Sequence, residues 1–230
     1  MKGERWLGVL SALALVLMLG AVFMALVQAP AAANVRTETE RYTQRIIYFH
    51  VPSAWVGFLA FFVTMVASVG YLVRRQRAWD VVALSSVEVG VAFTTAVLIT
   101  GSIWAKTAWN TWWTWDPRLT TSAITWVIYL AYLMLRSAVE DPEQRARFAS
   151  VYGIVGFTSV PITFMAIRWW RTIHPVLFDA SGAGLSPNML TAFLFCLGAF
   201  TFLYGTLLWH RVRLEFLADE VQALRRDLNL

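Results

Sequence analysis

The chain is poor in the residues that build sites by soft-ligand or redox chemistry. It has one cysteine in 230 residues, Cys196, inside an apolar run, and only three histidines. A single cysteine excludes a disulfide framework, a thiolate zinc site, a CxxC redox pair and a CxxCH motif for covalent haem attachment. Charge is scarce as well: 14% of residues are Asp, Glu, Lys or Arg, against roughly a quarter in an ordinary soluble domain. That is too little to cover a surface facing water. No GxxxxGK[ST] pattern occurs, so any ATP hydrolysis coupled to this chain belongs to another subunit. There is no internal repeat of solenoid period and no low-complexity tract; the alanines near position 30 and the Ser181–Gly184 stretch are ordinary loops.

Apolar residues fill the space that charge leaves. They make up 58% of the chain, with a mean hydropathy of +0.58. Six stretches approach the roughly 20 residues needed to cross a hydrocarbon core of about 30 Å. They are Trp6–Val27, Val51–Val73, Val81–Ile103, Leu119–Leu135, Phe148–Ile167 and Met189–Trp209. The first follows Lys2 and Arg5 and precedes Ala31–Ala33, as a secretory signal would. Its apolar run is longer than the roughly 7–15 residues of a signal-peptide core, which favours a retained helix. The expected fold is all-α, an integral membrane protein of six transmembrane helices. Residues 1–209 form the membrane domain, with a Trp-rich loop at 104–120, and residues 210–230 form a cytoplasmic C-terminal helix.

The net charge of +5 reads as an orientation signal. With both termini inside, twelve Lys or Arg fall on the inner side: Lys2, Arg5, Arg74, Arg75, Arg77, Arg136, Arg145, Arg147, Arg211, Arg213, Arg225 and Arg226. Seven fall outside: Arg36, Arg41, Arg45, Lys106, Arg118, Arg168 and Arg171. The positive-inside rule therefore predicts both termini in the cytoplasm. The excess says nothing of nucleic acid. This orientation sends the segments 28–50, 104–118 and 168–188, rich in Trp, His and Pro, to the outer face.

Twelve tryptophans are more than membrane class explains. Five of them, Trp104, Trp109, Trp112, Trp113 and Trp115, fall within twelve residues, followed directly by Asp116 and Arg118. Interfacial belts use one or two per helix end. Indole rings are wide, rigid and apolar, with one N–H at the edge, and a row of them makes a platform for a flat, largely apolar ligand. The plain alternative is a belt on a re-entrant or surface-lying segment.

The histidines bear on that choice. His50 precedes the second span in Tyr48-Phe49-His50-Val51-Pro52, and His174 lies in the outer loop before the sixth. His210 falls at the inner end of the last span and reads as an interface residue. Neutral imidazole is the commonest metal ligand, and haem iron takes axial ligands from its two faces. Two histidines from separate loops, with a Trp platform between them, match a non-covalently bound haem b. Its propionates would need cations, for which Arg45, Arg118, Arg168 and Arg171 are available, although each also reads as a snorkelling or solvated side chain.

Three blocks carry a resemblance to a known family. Trp112-Trp113-Thr114-Trp115-Asp116-Pro117-Arg118-Leu119-Thr120 is similar to the WWxWDxRLT signature of the tryptophan-rich "WWD" proteins. Tyr48-Phe49-His50-Val51-Pro52-Ser53-Ala54-Trp55 and Arg168-Trp169-Trp170-Arg171-Thr172-Ile173-His174-Pro175 resemble the blocks around the two outer histidines of the cytochrome c biogenesis, or haem exporter, protein C family (CcmC). Ser85-Ser86-Val87-Glu88-Val89-Gly90 is a weaker match, and Ala105 and Asn110 stand where the family often has Gly. With the six spans, the resemblance covers most of the chain. It implies that His50 and His174 ligate haem iron while Trp104, Trp109, Trp112, Trp113, Trp115 and Asp116 form the porphyrin platform. It further implies presentation of haem at the periplasmic face of the inner membrane to the haem chaperone CcmE, with the ABC-type subunits CcmA and CcmB and the small CcmD. Such a protein makes and breaks coordination bonds and is not an enzyme.

Two other classes compete. A b-type haem electron carrier or quinone oxidoreductase subunit would often stack two haems within its spans, which takes four histidines. A transporter gated by the Trp loop would be marked by paired intramembrane charges, and none is evident in the sequence. Glu88 in the third span is expected either to be functional or to pair with Arg74 or Arg75. Pro161, with Gly153 and Gly156 before it, predicts a kink in the fifth span. In the tail, Leu214, Leu217, Val221, Leu224 and Leu228 form a helical seam of two heptads, short for a coiled coil, that could dock on a partner or lie on the bilayer.

Overall fold

The computed structural model describes residues 2–30, 37–179 and 182–228. Ala31–Ala33, Arg36 of the outer basic set and Ser181 lie outside the described residues. Among the described residues the chain is all-α apart from one two-residue pairing, and six helical stretches are long and apolar enough to cross a membrane. Helix α1 (Lys2–Phe23) ends in a π-turn, Met24–Gln28. A short α2 (Glu38–Thr43) and a 3-10 turn, Gln44–Ile46, lead into α3 (Ile47–Arg74). Then come α4 (Arg77–Trp109), α5 (Pro117–Ala138), α6 (Pro142–Phe157) and α7 (Ser159–Trp169). Strands β1 (Phe178–Asp179) and β2 (Gly182–Ala183) pair antiparallel before α8 (Pro187–Asp227).

The helix starts follow from local chemistry. Asp116 and Asp141 each precede a proline, and each caps the helix behind it: their carboxylates accept from Arg118 N at 2.9 Å and Gln144 N at 2.7 Å. A cap carboxylate with proline at the first helical position satisfies one orphan N–H and removes another. Exposure is inverted relative to a soluble fold. Trp6, Leu13, Val16 and Leu19 on α1 and Val27 on its π-turn all lie on the surface, a position that water would penalise and lipid does not.

Inside, small residues let helices approach. Helix α3 packs most extensively on α4, and two glycines set their separation. A Cβ at Gly57 would sit 2.6 Å from Thr94 Cγ2, and one at Gly90 would sit 2.7 Å from Phe61 Cε1. A second core joins α1 to α8 through Ala21, Ala25, Ala192, Cys196 and Ala199, with Tyr48 packed among them. The third contains Phe61 stacked on Tyr129, ring centroids 3.5 Å apart, with Tyr132 and Val160.

Several boundaries differ from the sequence expectation. The second span does not begin after His50: α3 starts at Ile47, so His50 is helical and only His174 is on a loop. Proline disfavours helix in the residue before it, which suggests a break at Val51. Instead the preceding turns continue into α3, and Pro52 sits inside it, buried. The helix of the third span, α4, runs on to Trp109, so Trp104 and Trp109 are helical and the Trp loop shrinks to 110–116. The fifth span breaks at Thr158, three residues before Pro161. Pro161 thus falls in the first turn of α7, where its missing N–H has no intrahelical partner to lose. The tail beyond His210 continues the last span in one helix of 41 residues, with Leu214, Leu217, Val221 and Leu224 exposed along it.

Glu88 pairs with neither Arg74 nor Arg75. Its carboxylate binds Arg211 of α8, which also reaches Glu215 at 2.6 Å. Nearby, Asp80 is only 3% exposed and is bracketed by Arg136 and Arg77, which in turn binds Asp219 at 3.0 Å. These charged pairs gather α4, α5 and α8 at the end remote from the Trp loop.

Candidate functional site

The opposite end holds the Trp loop, and its path is fixed from both sides. Helix α4 terminates at Asn110, whose φ of 57° is left-handed. Asn tolerates that conformation far better than most residues, so this chain makes a helix-ending turn without Gly. Lys106 Nζ donates to Asn110 O at 3.3 Å and Oδ1 at 3.1 Å. Within the loop Thr111 Oγ1 donates to Trp113 O at 3.0 Å. Ala105 lies within α4, buried, and needs no turn.

The tryptophans form edge-to-face pairs. Trp104 and Trp109 have centroids 5.0 Å apart at 80°, Trp113 and Trp115 6.0 Å at 84°, and Trp169 and Trp170 5.9 Å at 77°. Trp112 is 58% and Trp115 82% exposed. Trp104, Trp109 and Trp113 are half-buried. Edge-to-face pairing holds the rings rigid while leaving faces free for another flat apolar body.

Asp116, grouped with the platform by sequence, has a different employment. It is 8% exposed, and its carboxylate receives the Thr172 hydroxyl at 2.7 and 2.8 Å and Ile173 N at 2.9 Å, besides the capping bond from Arg118 N. Thr172 Oγ1 then accepts from His174 N at 3.0 Å. The Trp loop and the histidine loop are thereby joined. Burial alone would raise the Asp116 carboxyl, but the bonds from Thr172, Ile173 and Arg118, with His174 close by, hold it below its ordinary pKa.

Both imidazoles have an assignable tautomer. His174 Nδ1 lies 3.0 Å from Pro175 O; a carbonyl only accepts, so Nδ1 carries the proton. His50 Nδ1 lies 2.9 Å from Thr100 Oγ1, whose single proton is directed to Ala96 O at 2.6 Å. Thr100 therefore accepts, and His50 Nδ1 is again the donor. In each neutral ring the lone pair is left at Nε2, the arrangement found in metal-bound histidines whose other nitrogen is anchored. The His174 pKa is lowered, first by burial and then by the charge of Arg118, against the opposing pull of Pro175 O and Asp116, which favours the neutral ring. His50 lies within electrostatic reach of both His174 and Arg118, so these three groups share one end of the bundle. His210 is elsewhere, hydrogen-bonded to Ser11 Oγ at 2.8 Å.

The four arginines divide. Arg118 donates to Thr163 O and lies over the Phe58 ring at 5.8 Å. Arg45 is tied to Leu26 O at the π-turn and lies over Tyr42 at 5.7 Å. Arg168 lies over Phe164 at 5.5 Å. Arg171 is exposed and borders an open cleft with Thr114, Pro117 and Ile173. Three anchoring residues escaped the sequence reading: Thr100, Gly101 and Thr172. Gly101 backs His50, since a Cβ there would fall 3.0 Å from His50 Cε1. Thr172 had a signal, because a Thr two residues before a backbone N–H is a common hydroxyl turn.

The comparisons with known proteins agree with this architecture. The family model described as Heme exporter protein C matches residues 2–227. The chain is 37% identical over 185 residues to the Heme exporter protein C of Bradyrhizobium diazoefficiens, covering 80% of this chain and 70% of that one. It is 31% identical over 188 residues to the protein of the same name from Paracoccus denitrificans, covering 79% and 77%. It is 33% identical over 162 residues to a putative cytochrome c biosynthesis ccmC-like mitochondrial protein of Marchantia polymorpha, covering 70% and 68%. With six spanning helices, a Trp-rich loop latched to a histidine loop and this similarity along nearly its whole length, the chain belongs to the Heme exporter protein C family of multi-pass membrane proteins, which handle haem for cytochrome c biogenesis.

Proposed function

We propose that the chain binds one haem b non-covalently at the tryptophan end of the bundle, with His50 and His174 as axial ligands, and passes it to a periplasmic haem chaperone of the CcmE kind. The observation that carries this reading is the pair of tautomers: two imidazoles at one end, each with Nδ1–H anchored and the Nε2 lone pair left for a metal. The Trp pairs supply rigid apolar faces for the porphyrin, and Arg118, Arg168 and Arg171 supply cations at its rim. Iron held by two histidines is coordinatively saturated. Delivery therefore exchanges one His–Fe bond for a ligand on the acceptor, and a site at the membrane surface permits that exchange where one at mid-bilayer would not.

In this reading both termini are cytoplasmic, the membrane is the inner one, and CcmA, CcmB and CcmD are the partners. The charged network of α4, α5 and α8 then sits on the cytoplasmic side, in keeping with the inner bias of basic residues. Haem transfer tests the proposal. The haem-loaded chain mixed with apo-chaperone is expected to lose haem to it, and Trp113→Ala/Trp115→Ala to bind several-fold less haem. Unchanged haem content and transfer in the double variant would return the tryptophans to an interfacial belt.

A further inference from the structure

We propose that Thr172 is a positioning residue for His174 and that Asp116 of the Trp signature acts through it, as a latch between the two loops and not as a contact to the ligand. The inference rests on the reading that His174 ligates haem iron.

A helix cap needs one bond from the Asp116 carboxylate, and Arg118 N supplies it at 2.9 Å. The remaining acceptor capacity is directed 56 and 57 residues along the chain, to Thr172 Oγ1 and Ile173 N. Charge-assisted hydrogen bonds of this kind, removed from water, are the stronger sort. Thr172 has one hydroxyl proton, and it goes to Asp116. Its oxygen is then free to accept from His174 N at 3.0 Å. The backbone of the histidine is thus pinned by a group that is itself pinned by the Trp loop, while its ring is pinned by Pro175 O.

Only a hydroxyl at 172 serves both bonds. Val matches the shape of Thr and makes neither; Ser keeps both. At 116, Asn offers one acceptor oxygen in place of two and turns an NH2 donor toward the Thr172 hydroxyl or the Ile173 N–H. His50 has no such dependence, since it stands on α3 and is anchored by α4. The two axial positions are therefore held differently: one by helix packing, the other by a latch of side-chain hydrogen bonds that belongs to the Trp loop. A shift of that loop on meeting an acceptor is transmitted to His174.

The test uses the full chain, loaded with haem and read by electron paramagnetic resonance and optical spectra for the low-spin form with two imidazole ligands. His174→Ala is the control and is expected to abolish that form. Thr172→Val is expected to lower the low-spin fraction several-fold with haem still bound, Asp116→Asn to lower it similarly, and Thr172→Ser to restore it. A low-spin fraction unchanged in Thr172→Val while His174→Ala abolishes it would overturn the latch. Equal losses in Thr172→Val and Thr172→Ser would overturn it too, because the hydroxyl would then not be the operative group. A low-spin form surviving in His174→Ala would instead overturn the ligand reading on which the latch depends.

Discussion

A single proton on Thr100 decides the chemistry available at His50. Because that proton is directed to Ala96 O, the imidazole must donate from Nδ1, and its lone pair is left at Nε2. The ring also has little room, with Gly101 behind it. Gly101→Ala would bring a Cβ to 3.0 Å from His50 Cε1, closer than ordinary contact. Overpacking of this kind costs about 1–3 kcal/mol, so the expected result is roughly ten-fold weaker haem retention with the fold intact. Equilibrium titration of the purified variant measures it, and unaltered affinity would show that His50 is not confined there. At this scale the sequence was partly legible. The histidines and tryptophans stand out by type and clustering. Thr100 and Thr172 do not: the first meets His50 across 50 residues of chain and the second meets Asp116 across 56. Threonines in apolar helices are common, and only the fold gives these two their partners.

Among the elements, six spans were readable from apolar length alone, because a hydrocarbon core imposes a length that a sequence must meet. Their ends were not. Interfacial residues such as Trp104, Trp109 and His50 are polar or aromatic, so a hydropathy boundary stops short of them while the helix continues, its hydrogen bonds indifferent to side-chain type. Pro161 was visible, but the position of the break at Thr158 was not. The charge network was missed for the reason that Thr100 was: Asp80 and Arg136 belong to different helices. Its members should differ sharply in weight. Asp80 and Arg136 are both under 10% exposed, whereas Glu88 and Arg211 keep 31% of their side-chain surface. Removing one partner of a fully buried pair costs about 3–5 kcal/mol, and the cost falls as the pair becomes more exposed. Thermal unfolding in detergent should accordingly find Asp80→Asn strongly destabilised and Glu88→Gln clearly less so. Similar small losses in both would mean that the network does not fasten α4 to α5.

The whole molecule is polarised end to end. One end is fastened by ion pairs among α4, α5 and α8; the other presents the Trp loop, latched through Asp116 to the loop of His174, beside His50. Seven of the twelve tryptophans, Trp104, Trp109, Trp112, Trp113, Trp115, Trp169 and Trp170, lie in or beside the two loops of that second end. Family membership assigns the molecule to haem handling, and the proposed reading puts the haem at the tryptophan end. The most direct test of that assignment is the spectrum of the purified, haem-loaded chain in three single variants. The account predicts that His50→Ala and His174→Ala each lose the low-spin signature of two imidazole ligands, while His210→Ala, altered at the opposite end, keeps it. Retention of that signature in either of the first two, or its loss in the third, would contradict the account.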